Sequence, residues 1–339
     1  MKSVHSLVCA AFFLPATGLS QDMDEAKAHA ERGLKAAEAF PGYASLCNLE
    51  SRIRNVNDRS ASNGARRERP ASGQRSGQGG GERAERPPLP PMQVFDNLYF
   101  LGNRSVSAWL YGTDEGYLLI DGLNNDEEAE KYILGGMETL GLDPDRIEAI
   151  LVTHGHGDHY GGADYISEEL GVEILMSAED WKFMAPFGVH PRFGPPPPRG
   201  TDVADGEVLE FGESSLTAHL TPGHTPGGLS LVFDVYDNGI PHAAMMWGGT
   251  GFNFGMYPEI FRQYADSAVK MRDLSQEAGV DVMLSNHSRR DGSDVLMAEL
   301  AEREAGEAHP FVVGEEGYDL FTVLEECALA QAARFAEPE

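Results

Sequence analysis

Basic residues are scarce in this chain. Against 54 Asp and Glu stand only 26 Lys and Arg, a formal charge of −28 over 339 residues. A surface of that sign repels nucleic acid and anionic lipid, which argues against both as partners and leaves a small-molecule substrate as the expected one. Long hydrophobic runs are missing as well. The one apolar stretch near the start, residues 7–14, is too short to span a bilayer. Lys2 and His5 precede it and the small residues Gly18 and Ser20 follow, the order of an export signal cleaved near Ser20 and Gln21. Residues 1–20 are therefore expected to be a signal peptide and the mature protein to be periplasmic or secreted; a frayed N-terminal helix is the competing account. Cysteine is limited to Cys9, Cys47 and Cys327. Cys9 lacks the small preceding residue that a lipid-attachment site wants. Cys47 and Cys327 would remain after export, either paired or as buried free thiols, and spacing alone does not decide between these. There is also no Gly-x-Ser-x-Gly elbow to carry a serine hydrolase.

Composition divides the remainder. Residues 21–56, dominated by Ala and charged residues, read as a helical segment. Residues 57–91 are rich in Gly, Ser, Arg and Pro and end in Pro87-Pro88-Leu89-Pro90-Pro91. Such a stretch buries too little surface to offset its ordering entropy, so it reads as a disordered linker. From residue 92 to 339 the pattern is globular. Strands are expected at 94–101, 106–111, 117–120, 147–152, 172–176, 216–220, 229–235, 243–247 and 280–284. Helices are expected at 126–140, 162–170, from 178, and at 258–278, with further helices closing the chain. Strands alternating with helices predict a layered α/β domain with mixed sheets between helices.

The chemistry concentrates in His154-Gly155-His156-Gly157-Asp158-His159, directly after the apolar strand 147–152. Imidazole is the commonest protein ligand for zinc-like ions and carboxylate its usual companion. Three imidazoles and a carboxylate on one loop exceed what a single tetrahedral ion needs, so the spacing points to two metals and a hydrolase. Solvated loop histidines are the bland alternative. His154 and His156 alternate along an extended segment and need a bend to converge, which Gly155 and Gly157 permit. Two later strands also end in histidine loops: Thr221-Pro222-Gly223-His224-Thr225-Pro226-Gly227, and Leu284-Ser285-Asn286-His287. Loops at neighbouring strand ends are where α/β folds place their chemistry.

Together with Asp121-Gly122 upstream, this series resembles the motifs of the metallo-β-lactamase superfamily over residues 94–309. The resemblance implies an αββα sandwich with two zinc ions at one edge. His154, His156 and His224 would hold the first ion; Asp158, His159 and His287 the second; Asp121 would support the metal loop from behind. Many members place a metal-bridging aspartate after a strand like Met245-Met246-Trp247. Here Gly248-Gly249-Thr250-Gly251 follows, with neither that aspartate nor a cysteine ligand, and this set is similar to the subclass-three β-lactamases. The implied reaction is attack of zinc-activated hydroxide on the amide carbonyl of a β-lactam ring, with Asp158 orienting the nucleophile. Thr250, Asn253 and Arg289 are candidate substrate contacts, Arg290 a further one. Phe187, His190 and Phe193 would either roof the site or pack elsewhere. His219, His242 and His309 are assigned no role. An ester, thioester or lactone hydrolase on the same scaffold, and a metal-binding envelope protein without turnover, remain as alternatives.

Overall fold

The computed structural model describes residues 17–57 and 89–336, with side chains from Asp22 onward. The export-signal reading therefore lies outside the described residues except for 17–20, and the linker reading except for 57 and 89–91. Twelve strands among the described residues form two sheets. The first runs β1 (Met92–Phe95), β2 (Leu98–Gly102), β3 (Ser107–Gly112), β4 (Tyr117–Ile120), β5 (Ile147–Leu151), β6 (Glu173–Ser177) and β7 (Thr201–Val203) in spatial order. Its first four strands are antiparallel and its last four parallel. The second holds β8 (Glu207–Phe211), β9 (Ser214–Leu220), β10 (Leu229–Asp237), β11 (Ile240–Trp247) and β12 (Val280–Ser285), ordered 12-11-10-9-8. Only β11 and β12 in it are parallel.

Side-chain alternation sets the layers. Trp109 and Tyr111 of β3, and Leu118 and Ile120 of β4, point between the sheets, where they meet Leu231, Phe233, Ala244 and Met246. Ala108, Leu110 and Leu119 point the other way, onto Ile133, Met137 and Ile166 of the covering helices. On the far side Met245, Trp247 and Met283 pack against Phe261, Tyr264, Leu324 and Ala328 of the helices Pro258–Ala278 and Asp319–Arg334. Period-two strands with apolar residues on both faces require cover on both sides. The result is the expected αββα sandwich.

Several differences have local causes. The expected strand 94–101 is two strands, because the chain reverses between Phe95 and Leu98, which pair with each other. The expected helix 126–140 forms, capped by Asn125 accepting from Glu128 N, but Ala129–Leu134 is π-helical. β7 and β8 were not expected; β8 is an edge strand, with Val208 53% exposed, so its hydrophobic signal is weak. The N-terminal segment forms a helix, Thr17–Ala36, and a 3-10 turn, Pro41–Cys47. Its Ala30, Phe40, Tyr43 and Leu46 share one core with the C-terminal helix, and a Cys47–Cys327 disulfide joins the two. No helix among the described residues is long and apolar enough to cross a membrane.

Candidate metal centre and its cavity

Every loop carrying a sequence-predicted ligand leaves the same edge of the sandwich, from the C-terminal ends of β5, β9 and β12. The ligand atoms of His154, His156 and His224 lie within 4.8 Å of one another, as do those of Asp158, His159 and His287. The His154 and His159 rings are 4.1 Å apart and connect the two groups.

The outer nitrogen of each imidazole is held by a neighbour, which settles where its proton sits. His159 Nδ1–H donates to Asp121 Oδ2 (2.7 Å), His224 Nδ1–H to Gly251 O (2.6 Å) and His287 Nδ1–H to Ser105 O (2.6 Å). Thr153 Oγ1 gives its own proton to Asp121 Oδ2 and accepts from His154 Nδ1 (3.2 Å). His156 is held through Nε2, 2.7 Å from Asn57 Oδ1. One nitrogen of each of the five rings then faces inward. Those of His154 and His159 are buried with no hydrogen-bond partner among the described residues, and His156 Nδ1 and His224 Nε2 face each other at 3.0 Å. Lone pairs converging without a proton between them are what a cation relieves, so the donor set fits metal ions.

The electrostatics agree. Burial, then repulsion from the neighbouring imidazoles, holds His154 and His224 well below the usual histidine range and brings His287 down to about 4. These rings are neutral, as ligands must be. His159 is the exception: burial disfavours its charged form, but Asp121 and Asp158 outweigh it and raise that pKa, so a metal ion held there would displace a proton from the ring. Burial would raise Asp158, but its interactions with the neighbouring His159, His287 and His156 outweigh that and keep it ionised. Asp121 lies behind the His159 ring, as its acceptor contact with Nδ1 shows. It adopts a left-handed φ of +67°, held there by Thr153 N and Oγ1 and by His159.

His156 and His224 of the first group and Asp158 and His287 of the second line a cavity of about 500 Å³, which Thr250, Asn253 and Arg289 also line. Asn253 Oδ1 is buried without a partner among the described residues. Arg290 reaches the same cavity, but its guanidinium is tied to Gly42 O (2.8 Å) and Ser45 Oγ (3.0 Å). Gly248 and Gly249 explain the missing carboxylate. A Cβ on Gly248 would overlap Leu229 O, and one on Gly249 would meet His224 Cβ at 2.7 Å. Phe187, His190 and Phe193 do not line this cavity. Phe193 packs on the outer side of the histidine loop against Gly157, and Phe187 joins the core under the first sheet. His309 stacks on Phe95, and His242 pairs with Asp281.

Two residues that contact the histidine loops escape sequence reasoning. Asp180, wholly buried, accepts from Gly155 N, Thr225 Oγ1 and Gly227 N, each at 2.7 Å, and so ties the first histidine loop to the second. Its signal was the Ser177-x-x-Asp180 spacing at a helix start, where Ser177 Oγ caps Asp180 N. Asn57, placed by composition at the head of the linker, contacts two ligand residues, and nothing in the sequence marks it.

Residues 101–237 match the model of the metallo-beta-lactamase superfamily. A hydroxyacylglutathione hydrolase of Francisella philomiragia is 30% identical over 191 residues, which is 54% of this chain and 64% of that relative, so the chain spans less than two thirds of its length. A subclass B3 metallo-β-lactamase of Bradyrhizobium japonicum superposes with a TM-score of 0.59 at 26% identity, over 70% of this chain and 92% of the other. A mutant of the metallo-β-lactamase from Legionella gormanii gives a TM-score of 0.63 at 24% identity, over 70% and 93%, a likeness of fold.

Proposed function

The chain carries a metallo-β-lactamase superfamily domain, and from that premise we propose an exported dinuclear zinc hydrolase of subclass B3 type that opens the cyclic amide of a β-lactam. The observation that supports this most directly is the pair of three-residue ligand groups facing one open cavity, with glycine where a bridging carboxylate would otherwise stand. A sequestering site would close over its metal, whereas a catalytic one keeps an approach.

His154, His156 and His224 would hold one ion and Asp158, His159 and His287 the other. Zinc bound there would supply Lewis acidity and lower the pKa of water from ~15.7 to about 7. Asp158, whose side chain is 32% exposed, presents a carboxylate that accepts a hydrogen bond from the attacking water and fixes its line of approach. Arg289 offers a planar fork to a substrate carboxylate. Asn253 and Thr250 line the same cavity and are further candidates for polar contact with the substrate. The Cys47–Cys327 bridge supports export, since disulfides persist in oxidising compartments.

A second reading has its own support. The Francisella relative is named for hydroxyacylglutathione, a thioester. Zinc-loaded protein should open nitrocefin, lose that activity to EDTA and regain it with zinc. Cleavage of a hydroxyacylglutathione with no turnover of penicillins, cephalosporins or carbapenems would transfer the assignment to thioester hydrolysis.

A further inference from the structure

The N-terminal segment does more than cover the second sheet. After the 3-10 turn Pro41–Cys47 the chain runs along the loop that follows β11. Val56 N donates to Asn253 O (2.7 Å), Gly255 N donates to Arg54 O (3.0 Å), and Asn55 bridges to Phe254. This short ladder delivers Asn57 to the metal centre. There Asn57 Nδ2 donates to His224 O (3.0 Å), while its Oδ1 lies 2.7 Å from His156 Nε2.

The orientation of that carboxamide is forced. A backbone carbonyl can only accept, so the NH₂ must face His224 O, which leaves Oδ1 toward His156. An amide oxygen can also only accept, so His156 must carry its proton on Nε2. Its Nδ1 is then bare and aimed at His224 Nε2, 3.0 Å away. Of the five imidazoles, His156 is the one held through Nε2 with Nδ1 turned inward, and Asn57 Oδ1 is an acceptor at that Nε2.

We propose that Asn57 is a positioning residue of the metal centre, supplied by the N-terminal segment, which fixes the tautomer and ring angle of His156 and braces the His224 loop for the first ion. The inference rests on the metal-site reading above, and not on which substrate is cleaved. The whole segment is secured for this purpose. Gln331 Nε2 donates to Leu46 O and Asn48 O, Arg334 to Ser51 O, and Arg290 to Gly42 O. Gly42 lies so close to the Arg289 and Arg290 carbonyls that any Cβ there would overlap them.

Asn57 touches ligands of the first group only, so its removal should weaken one of two metal-binding steps. Zinc affinities of the full chain, measured by competition with a chromophoric chelator, provide the test. Asn57→Ala should lose about 10–100-fold in the step assigned to His154, His156 and His224, with the other step within about threefold. Asn57→Asp keeps an acceptor for His156 Nε2 and should bind more tightly at that step than Asn57→Ala. Circular dichroism and an intact Cys47–Cys327 bond verify folding. Equal weakening of both steps, or parental affinity in Asn57→Ala, overturns the proposal. A parent that binds no zinc overturns it together with the metal-site reading, and failure to cleave β-lactams leaves it standing.

Discussion

Asp180→Asn asks whether a buried negative charge ties the two histidine loops together. Three donors converge on this carboxylate: Gly155 N and Thr225 Oγ1 on Oδ2, and Gly227 N on Oδ1. Burial is the largest influence and pushes its pKa up to about 6, against the downward pull of those donors. The folded value exceeds the ordinary 3.8, so the folded protein binds this proton more tightly than the unfolded chain does. Protonation is possible without breaking the knot, because the Thr225 hydroxyl, unlike the two backbone amides, can turn from donor to acceptor. The sign follows from linkage. Wherever the native state binds the extra proton, stability falls as pH rises, and the effect ends above pH 6. Between pH 5 and pH 7 the native carboxyl loses most of its proton while the unfolded one is ionised throughout. At 1.36 kcal/mol per pKa unit, the parent should lose about 1.4 kcal/mol relative to the non-titrating variant across that window. Urea unfolding of both proteins in excess chelator measures this, at pH values above the sequence pI of ≈ 4.6. Asp291, also raised to about 6 by burial, titrates equally in both and cancels in the difference. A difference that stays flat from pH 5 to 7 refutes the buried-charge account.

Asp121→Ala removes the acceptor for His159 Nδ1 and for Thr153 N and Oγ1; affinity for the ion held by Asp158, His159 and His287 should fall about 10–100-fold in chelator competition. Cys47→Ser opens a covalent link between residues 280 apart, for which chain entropy sets a ceiling of about 5 kcal/mol. Its urea midpoint should drop measurably, and KM should rise more than kcat falls, because Gly42 and Ser45 line the cavity; an unchanged midpoint would mean that packing alone holds the segment.

The candidate ligands were legible because metal chemistry restricts residue type and places the side chains at strand ends. His154, His156, Asp158, His159, His224 and His287 are six such residues, and the structure gathers them into two groups. The central strands were legible for a related reason: residues such as Trp109 and Leu110 face two buried layers, so their runs are strongly apolar. β7 and β8 were not, since one is short and the other is a half-exposed edge whose Glu207 and Glu210 read as loop. The boundary at residue 57 misled for a different reason. Composition changes there, but the long-range hydrogen-bonding partners of residues 54–57 lie about one hundred to two hundred positions later, and no local pattern encodes them.

The same contrast governs the metal centre. What points inward is specified by chemistry and repeats the same few side chains. What holds those side chains from behind is specified only by position: a carboxylate for His159, a threonine hydroxyl for His154, backbone carbonyls for His224 and His287, a carboxamide for His156. Each acceptor does equivalent work, because any oxygen that can only accept, or whose own proton is already committed, fixes an imidazole tautomer. In this chain one of these acceptors comes from a segment disulfide-linked to the last helix, so the geometry of the His154, His156 and His224 group depends on contacts at both ends of the sequence. Substitutions in residues 42–57 should accordingly disturb metal binding more than their distance in sequence from His154 suggests.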